Sequence, residues 1–361
     1  MALAAAAIVA LSMDRYLAPL EHEELLVRRG ARSGLYCIVA VHSTVRGPAL
    51  GGCRMWRYHD SRAAVRDALL LSRAMTYKSA VAGLPLGGGK GVIMLPDGSP
   101  SGAARTAVLR DFADTVASLD GRYITAEDVG TSARDMTVIA QGTQHVSGLA
   151  RARGGSGDPS PYTALGVEAA VLASVERALG TTSMRGRSAA VVGLGHVGLR
   201  VARLLAKRGA KLLVSDIDPR KRDEARRLGA RWASPELALR APVDVLAPCA
   251  LGGVLDDEAV SALQAPVVAG AANNQLADDS VAELLDRRGV LWAPDFVANA
   301  GGIINISVEL ESGGYDPRVA RRRVRGIGDT LRAIYDVAAG GLTPLGAAME
   351  VARRNLSDSR A

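Results

Sequence analysis

The amino-acid sequence predicts an α/β protein of two domains, an N-terminal α/β domain and a doubly wound parallel-sheet domain, with a cleft between them. The chain has 361 residues, more than one hydrophobic core usually supports. Its composition, 48% hydrophobic and 22% charged, is typical of a globular protein. Strand and helix patterns alternate through the second half, as in a parallel sheet covered on both faces. Clefts between domains are common ligand sites.

The N-terminal half contains strands and helices in mixed order. Apolar runs and 3.6-residue periodicity predict, in chain order, a strand at 35–42, a helix from 61 to about 78, a strand at 91–96, a helix at 101–121 and a strand at 122–130. The last of these strands carries two carboxylates to its end.

The segment 151–161, RARGGSGDPSP, is rich in Gly, Pro and Ser and is the best candidate for a linker. A helix at 164–179 follows, and strand and helix patterns then alternate. We therefore expect domains at 1–150 and 151–330, with C-terminal helices at 331–361 that pack back on the first domain.

The chain begins with MALAAAAIVALS, which is apolar but lacks a basic segment and is too short to span a bilayer. We interpret it as an N-terminal helix or an overlong start, with Met13 as an alternative start. Cys37, Cys53 and Cys249 are odd in number, far apart and without a CxxC pair. Neither a disulfide framework nor a metal site follows, and the pattern fits a reducing cytoplasm.

The net charge of +7 raises the question of nucleic acid as a partner. The densest basic run, RVARRRVRG at 318–326, distributes its arginines around a helix and does not form one stripe. Aromatic residues make up only 4% of the chain, too few for base-stacking platforms. The sequence favours a solvated basic helix face over nucleic-acid binding.

The stretch VVGLGHVG at 191–198 supplies Gly193, Gly195 and Gly198 in a GxGxxG pattern. It follows an apolar strand and opens a helix, which is the context that a dinucleotide-binding Rossmann domain requires. These glycines let the backbone approach a pyrophosphate at the helix N-terminus, where the helix dipole favours an anion. The second domain is therefore predicted to be of the Rossmann type.

The next predicted strand, KLLVSD, ends in Asp216, which can accept hydrogen bonds from a ribose 2′-OH. Because a carboxylate there repels a 2′-phosphate, the sequence favours NAD over NADP. Arg220, Lys221 and Arg222 follow closely and could soften that preference.

The stretch LPLGGGKGV at 84–92 places Lys90 directly after three glycines. It is not a Walker A loop, because that motif needs GxxxxGK followed by Ser or Thr on a helix. Lys78 lies at the end of a mostly apolar helix face, and Asp128 lies near the end of the strand at 122–130. We expect both lysines to be partly desolvated, and burial or a second ammonium lowers the pKa of a lysine. One lysine could then remain charged to hold an anionic substrate, while the other acts as a base.

Several motifs, in this order, resemble the Glu/Leu/Phe/Val dehydrogenase family, and most closely its leucine, valine and phenylalanine branch. The similarity covers about residues 35–342. The matching stretches are GPALGGCRMW (47–56), MTYKSAVAGLPLGGGKGVI (75–93), YITAEDVGT (123–131), GDPSPYTALGV (157–167), VVGLGHVG (191–198), CALGGVL (249–255), GAANNQL (270–276) and PDFVANAGGIIN (294–305).

The resemblance implies a homo-oligomeric enzyme that reversibly deaminates an L-amino acid to a 2-oxo acid and ammonia, with NAD as hydride acceptor. The first domain would then hold the substrate and form the oligomer contacts. By position, Lys78 would pair with the substrate carboxylate, Lys90 would activate water, and Asp128 would exchange a proton with the amino group. The expected backbone contacts to the carboxylate are at Gly51 and Gly52, and Asn273 would bind near the amino group and the nicotinamide ribose. The remaining cofactor contacts would come from Thr163, Gly193, Leu194, Gly195, His196, Val197, Gly198, Asp216, Cys249 and Ala250.

The resemblance also implies which residues line the substrate side-chain pocket. The matching positions are Leu50, Ala126, Ile303 and Ile306, all apolar, so an acidic substrate would leave its charge unpaired. The phenylalanine branch has a smaller residue where this chain has Ile303, which favours valine, leucine and isoleucine over phenylalanine. An aromatic amino acid dehydrogenase is the alternative within enzymes. A non-catalytic NAD-binding module is the alternative outside them, although Lys78, Lys90 and Asp128 are all present.

Overall fold

The computed structural model describes residues 21–96 and 98–358, so the apolar start and the alternative start at Met13 lie outside the described residues. The chain forms two α/β domains, each built on its own sheet, which confirms the predicted fold class. In the part of the chain described here, no helix is both long and apolar enough to cross a membrane.

The first sheet has five strands in the order β1-β2-β4-β3-β5. Their bounds are Glu24–Arg29 (β1), Tyr36–Ser43 (β2), Ala49–Arg57 (β3), Gly87–Leu95 (β4) and Tyr123–Glu127 (β5). Strands β1, β2 and β4 pair antiparallel, whereas β4, β3 and β5 pair parallel. Three helices accompany this sheet: α1 at Ser61–Val81, α2 at Gly102–Ala117 and α3 at Ala133–Ile139.

Both faces of the first sheet are covered. On one face, Ile38 of β2 packs with Ala64 and Ala68 of α1. On the other face, Val39 of β2 packs with Phe112 of α2. Strand β2 is apolar at nearly every position because alternate side chains enter two different cores.

The glycine run lies inside β4, which begins at Gly87, four residues before the predicted strand start. A Cβ at Gly88 would lie 2.1 Å from the Thr76 backbone nitrogen of α1. A Cβ at Gly91 would lie 2.5 Å from the Phe112 ring on the opposite face. The glycines therefore let a helix and an aromatic ring approach the two faces of this strand closely. The predicted strand at 91–96 therefore excluded the three glycines and Lys90, which the structure places within β4.

The second sheet has six parallel strands in the order β11-β10-β9-β6-β7-β8. Their bounds are Ser188–Val192 (β6), Lys211–Ser215 (β7), Arg231–Trp232 (β8), Val245–Pro248 (β9), Val267–Val268 (β10) and Leu291–Trp292 (β11). This is the strand order of a dinucleotide-binding fold, in which ligands bind outside the carboxyl ends where the order reverses. Here that point lies between β6 and β9.

Helices cover both faces of the second sheet. They are α4 at Ser160–Leu179, α5 at Gly198–Lys207, α6 at Arg222–Arg227, α7 at Pro235–Leu239, α8 at Asp257–Ala262 and α9 at Val281–Arg287. Helix α4 begins four residues before the predicted start, with Pro161 in its first turn, and ends at Gly180 in the left-handed conformation.

The last five helices are α10 at Asp295–Ala298, α11 at Gly301–Glu309, α12 at Pro317–Arg325, α13 at Ile327–Ala338 and α14 at Pro344–Ser357. Helix α13 packs on α4, whereas α14 returns to the first domain and packs on α1. The side-chain amide of Asn355 donates a 2.9 Å hydrogen bond to the carbonyl of Ala80 at the end of α1. The chain therefore passes between the domains twice, before α4 and between α13 and α14.

Candidate active site

Lys90 and Asp128 meet on the face of the first sheet that α1 covers. Lys90 projects from β4 on the same side as Gly88, which abuts α1, and Asp128 directly follows β5. The Lys90 ammonium contacts the Asp128 carboxylate directly, and Lys90 is only 6% exposed. The structure thus brings together two residues that lie 38 positions apart in the sequence.

A second cation also faces Asp128. Arg54 of β3 donates to the Asp128 carboxylate at 3.4 Å and to the Asp67 carboxylate of α1 at 2.8 Å. Burial raises the pKa of Asp128, but the charges of Lys90 and Arg54 outweigh it and leave that pKa below its ordinary value. Asp128 is therefore an ionised carboxylate at neutral pH. Arg54 was not among the predicted site residues.

Lys78 projects from the last turns of α1 and is partly buried. Its ammonium donates a 2.8 Å hydrogen bond to the side-chain oxygen of Asn299. Burial lowers the pKa of Lys78 to about 8, while the charge of Asp295 opposes this decrease and that of Lys90 adds to it. At pH 7, Lys78 is therefore still mostly charged.

Asn299 connects Lys78 to the second domain. Its amide nitrogen donates to the side-chain oxygen of Asn273 at 2.9 Å and to the carbonyl of Ala271 at 3.2 Å. The predicted Asn273 is therefore linked to Lys78 through a residue that the sequence analysis missed. A polar residue within the apolar stretch PDFVANAGGIIN was the available signal.

Asp295, which precedes Asn299 by one helical turn, is a second group that was missed. It is 8% exposed and accepts a 2.8 Å hydrogen bond from the backbone N–H of Gln275. Burial raises the pKa of its carboxyl, whereas the charge of Lys78 lowers it. Lys78 therefore lies in the field of two carboxyl groups, the buried Asp295 of the second domain and the half-buried Asp128 of the first.

The four predicted pocket residues come from both domains. Leu50 and Ala126 lie on β3 and β5, and Ile303 and Ile306 lie on α11. All four are less than a tenth exposed and belong to one apolar cluster. This apolar cluster therefore includes residues of both domains.

The predicted glycine pair on β3 lies where the β3–β4 ladder is interrupted, between Leu50 and Cys53. A Cβ at Gly52 would lie 2.7 Å from the Asp128 Cβ, so a side chain there would displace the carboxylate. The carbonyl of Gly51 accepts a 2.6 Å hydrogen bond from the Tyr123 hydroxyl. Both glycines allow the backbone to pass close to its neighbours.

The three fingerprint glycines differ in their surroundings. Gly193 has φ of 100°, in the region that favours glycine. A Cβ at Gly198 would lie 1.9 Å from the Gly193 carbonyl oxygen, so this glycine serves close packing. A Cβ at Gly195 would meet nothing within 4 Å. The space over Gly195, at the N-terminal end of α5, is open, as a pyrophosphate bound there would require, and the residues present suit NAD.

Asp216 directly follows β7, beside the glycine loop. One of its oxygens accepts from the backbone N–H of Leu194 at 2.6 Å, and the other accepts from that of Asp218 at 2.8 Å. These contacts hold the carboxylate beside the glycine loop at the carboxyl end of β7.

The other predicted cofactor residues surround the same loop or lie near the cleft. A Cβ at Gly193 would approach Ala250 to 2.7 Å, and the backbone N–H of Cys249 donates to the Val192 carbonyl at 2.7 Å. The hydroxyl of Thr163 donates to the Pro159 carbonyl at 3.2 Å. His196 is exposed and Val197 is half-buried. Burial raises the pKa of the Cys249 thiol to about 12, so it remains protonated.

Three family models match the chain. Residues 24–145 match the Glu/Leu/Phe/Val dehydrogenase dimerisation domain, and residues 221–324 match the Glutamate/Leucine/Phenylalanine/Valine dehydrogenase domain. Residues 167–251 match the NAD binding domain of D-isomer specific 2-hydroxyacid dehydrogenases. With the glycine loop and Asp216, these matches define an NAD-dependent oxidoreductase.

Relatives of known activity cover most of the chain. The leucine dehydrogenase of Thermoactinomyces intermedius is 43% identical over 90% of this chain and 87% of its own. The valine dehydrogenase of Streptomyces virginiae is 42% identical over 94% of this chain and 95% of its own. The crystal structure of L-tryptophan dehydrogenase from Nostoc punctiforme superposes with a TM-score of 0.83 at 37% identity, covering 97% of this chain and 100% of that one. The chain belongs to the Glu/Leu/Phe/Val dehydrogenase family and is an NAD-dependent amino acid dehydrogenase.

Proposed function

We propose that the protein catalyses the reversible, NAD-dependent oxidative deamination of a branched-chain L-amino acid, namely valine, leucine or isoleucine. The products are the 2-oxo acid and ammonia. The observation that carries the proposal is the combination of Lys78 and the Lys90–Asp128 pair with the apolar wall of Leu50 and Ile303 in one cleft. The charged groups would hold the carboxylate and amino groups of the substrate, and the apolar residues would accept its branched aliphatic side chain.

In this proposal Lys78 binds the substrate carboxylate. Its ammonium already donates to one amide oxygen, that of Asn299, and a carboxylate oxygen forms a stronger hydrogen bond of the same geometry. A carboxylate also raises the charged fraction of Lys78, whose pKa burial holds at about 8. The interrupted ladder at Gly51 and Gly52 supports further contacts between the substrate carboxylate and the backbone.

The substrate side chain would contact Leu50, Ala126, Ile303 and Ile306. Because these residues are apolar and buried, an acidic side chain would lose its hydration without gaining a partner. The β-branched Ile303 shortens the space, which supports an aliphatic over an aromatic substrate. One extra or missing methylene group on the substrate changes the free energy of transition-state binding in such a pocket by about 1–3 kcal/mol.

Bound NAD supplies the hydride acceptor for the α-carbon. The protein must remove a proton from the amino group, activate a water molecule to attack the imino carbon, and protonate the departing ammonia. We assign the amino-group proton to Asp128 and the activation of water to the neutral form of Lys90, since only the neutral amine can accept a proton from water. Their direct contact provides a path by which a proton taken up by one group reaches the other.

An aromatic amino acid dehydrogenase is the second candidate. The observation in its favour is the similarity, over nearly the whole chain, to an enzyme whose name specifies L-tryptophan. The two candidates predict opposite orders of kcat/KM, because they differ only in the volume beside Ile303.

We further propose that the enzyme is a homo-oligomer in the cytoplasm. The match to a dimerisation domain over residues 24–145 supports the first statement. The three cysteines, all free in the structure, support the second.

The test follows NADH formation over a panel of L-amino acids with the wild-type protein and with Lys90→Ala. We expect valine, leucine or isoleucine to give the highest kcat/KM, and Lys90→Ala to lower kcat by about 10²–10⁴-fold while NADH still binds. Lys90→Arg should be equally inactive, because a guanidinium does not release its proton. Lys207→Ala, on the exposed face of α5, is the matched control and should keep wild-type activity.

Either of two outcomes would contradict the proposal. Wild-type kcat in Lys90→Ala would remove Lys90 as the base. A higher kcat/KM for phenylalanine or tryptophan than for valine would select the second candidate.

A further inference from the structure

A basic segment follows Asp216 and raises the question of how the enzyme rejects a 2′-phosphate. Residues 220–227 contain five basic side chains, which together should attract a phosphate. They lie directly beyond the residue that would contact the adenosine ribose. A single carboxylate, Asp216, would have to oppose all of them.

Arg220, the first arginine of this segment, is held by Asp218. Its guanidinium donates to both carboxylate oxygens of Asp218, with Nε to Oδ1 at 2.9 Å and Nη2 to Oδ2 at 2.9 Å. The backbone N–H of Arg220 also donates to the same carboxylate at 3.0 Å. The Asp218 side chain is 27% exposed, whereas that of Arg220 is 89% exposed. The carboxylate is therefore the more buried partner of this ion pair.

Other charges of the segment are also paired. Asp223 contacts Arg226, and Glu224 contacts Arg203 at 3.0 Å and Arg227 at 3.1 Å. A hollow of about 370 Å³ on this surface is lined by Asp218, Arg220, Lys221, Asp223, Glu224 and Arg227. Its three acidic and three basic side chains cancel in formal charge, so the hollow does not present a net cationic surface.

We propose that Asp218 is a second determinant of selectivity for NAD over NADP, which acts by holding the Arg220 guanidinium away from a 2′-phosphate. Asp216 and Asp218 then have different tasks. Asp216 repels the phosphate and accepts hydrogen bonds, whereas Asp218 occupies the Nε/Nη2 edge of the guanidinium, through which Arg220 would otherwise bind that phosphate bidentately. The two are physically connected, since the backbone N–H of Asp218 donates to Asp216 at 2.8 Å.

The test is Asp218→Asn, which removes the charge but retains an oxygen that can accept from the backbone N–H of residue 220. We measure binding of NADPH and NADH by nucleotide fluorescence without amino acid, and kcat/KM for both oxidised cofactors with any substrate that is turned over. We expect NADPH affinity to rise about five- to tenfold and NADH affinity to stay within twofold, because only the 2′-phosphate gains a partner. The gain should shrink at high salt, since the site is exposed.

Two further variants keep the test specific. Asp218→Asn with Arg220→Ala should lose the gain, because the released guanidinium is then absent. Asp223→Asn, which frees Arg226 one turn later in the same segment, is the matched control and should leave the NADPH to NADH ratio unchanged.

Three outcomes would overturn the proposal: an unchanged NADPH affinity in Asp218→Asn, an equal gain in Asp223→Asn, or a gain that survives removal of Arg220. The first outcome would mean that Asp216 alone determines the selectivity for NAD over NADP. The other two would attribute the gain to a general loss of negative charge.

Discussion

The Lys78 ammonium and the Asn299 side-chain oxygen form a 2.8 Å hydrogen bond that joins the two domains across the cleft. Asn299 in turn donates to Asn273, so one amide contacts both the predicted substrate anchor and a predicted cofactor residue. The amide of Asn299 therefore positions the Lys78 ammonium relative to Asn273.

The first prediction concerns this amide. Asn299→Ala removes the acceptor of Lys78 and the donor to Asn273, so we expect KM for the amino acid to rise about tenfold, the loss of one charge-assisted hydrogen bond. Initial-rate kinetics measure this directly. The control is Asn274→Gly, which alters the exposed residue next to Asn273. Because glycine readily adopts the positive φ of 51° found there, this variant should leave KM unchanged. An equal KM in both variants would mean that the bridge does not position Lys78.

The second prediction concerns substrate size. Ile303→Ala enlarges the space beside Leu50, so kcat/KM for valine should fall about 10- to 100-fold and that for phenylalanine should rise. Ile304→Ala, one position along the same helix, is the matched control. Ile304 is 4% exposed, so its truncation should lower the free energy of unfolding by a similar amount. It is not among the predicted pocket residues. The same change of substrate order in both variants would contradict the assigned pocket.

The third prediction concerns pH. The charged form of Lys78 binds a carboxylate, and burial holds its pKa at about 8. Binding should therefore be strongest below pH 8 and weaken as the pH rises through that pKa, by about tenfold from pH 7 to pH 9. Calorimetry with isocaproate, which has a branched apolar chain and no amino group, isolates this effect. In Lys78→Gln, binding should be weak and independent of pH, and a persisting pH dependence there would exclude Lys78 as its source.

The fourth prediction separates folding from cofactor binding. A methyl group at Gly195 would meet no protein atom within 4 Å, so Gly195→Ala should keep the wild-type Tm. It would occupy the space assigned to the pyrophosphate, and NADH affinity should fall at least tenfold, about 1.4 kcal/mol. Gly198→Ala should instead lower Tm, because its methyl group would collide with the Gly193 carbonyl. Unchanged NADH binding in Gly195→Ala would place the pyrophosphate elsewhere.

The fifth prediction concerns the glycines before and after Lys90. Gly91→Ala would place a methyl group 2.5 Å from the Phe112 ring, so we expect about 1–3 kcal/mol of destabilisation and a lower Tm. The exposed Gly313, whose added Cβ would meet nothing within 4 Å, provides the control variant Gly313→Ala. If the two variants had the same Tm, the glycines of β4 would not be required for packing.

The sequence predicted the features that depend on local pattern. The fingerprint at 191–198 lies within one strand–turn–helix unit, so its three glycines and Asp216 could be found from spacing alone. Lys78, Lys90 and Asp128 stood out as charged groups beside apolar runs. In the structure Lys90 contacts Asp128, and the charges of both act on the pKa of Lys78.

What the sequence did not reveal depends on long-range contacts. Asn299 lies 221 residues from Lys78, and neither residue has a local pattern that specifies the other. The start of β4 at Gly87 was missed because glycine has a low strand propensity, and only the proximity of Tyr123 and α1 explains its presence there. Arg54 was overlooked because an arginine on a strand usually faces solvent.

The two passages of the chain between the domains limit how the cleft can open. One passage precedes α4, and the other joins α13 to α14, whose far end packs on α1. Two domains joined by two chain segments can rotate easily only about the axis through those segments. Rotation about any other axis would stretch one of the segments. Opening and closing should therefore repeat the same path each cycle, returning Lys78 and Asn273 to the same relative position for every turnover.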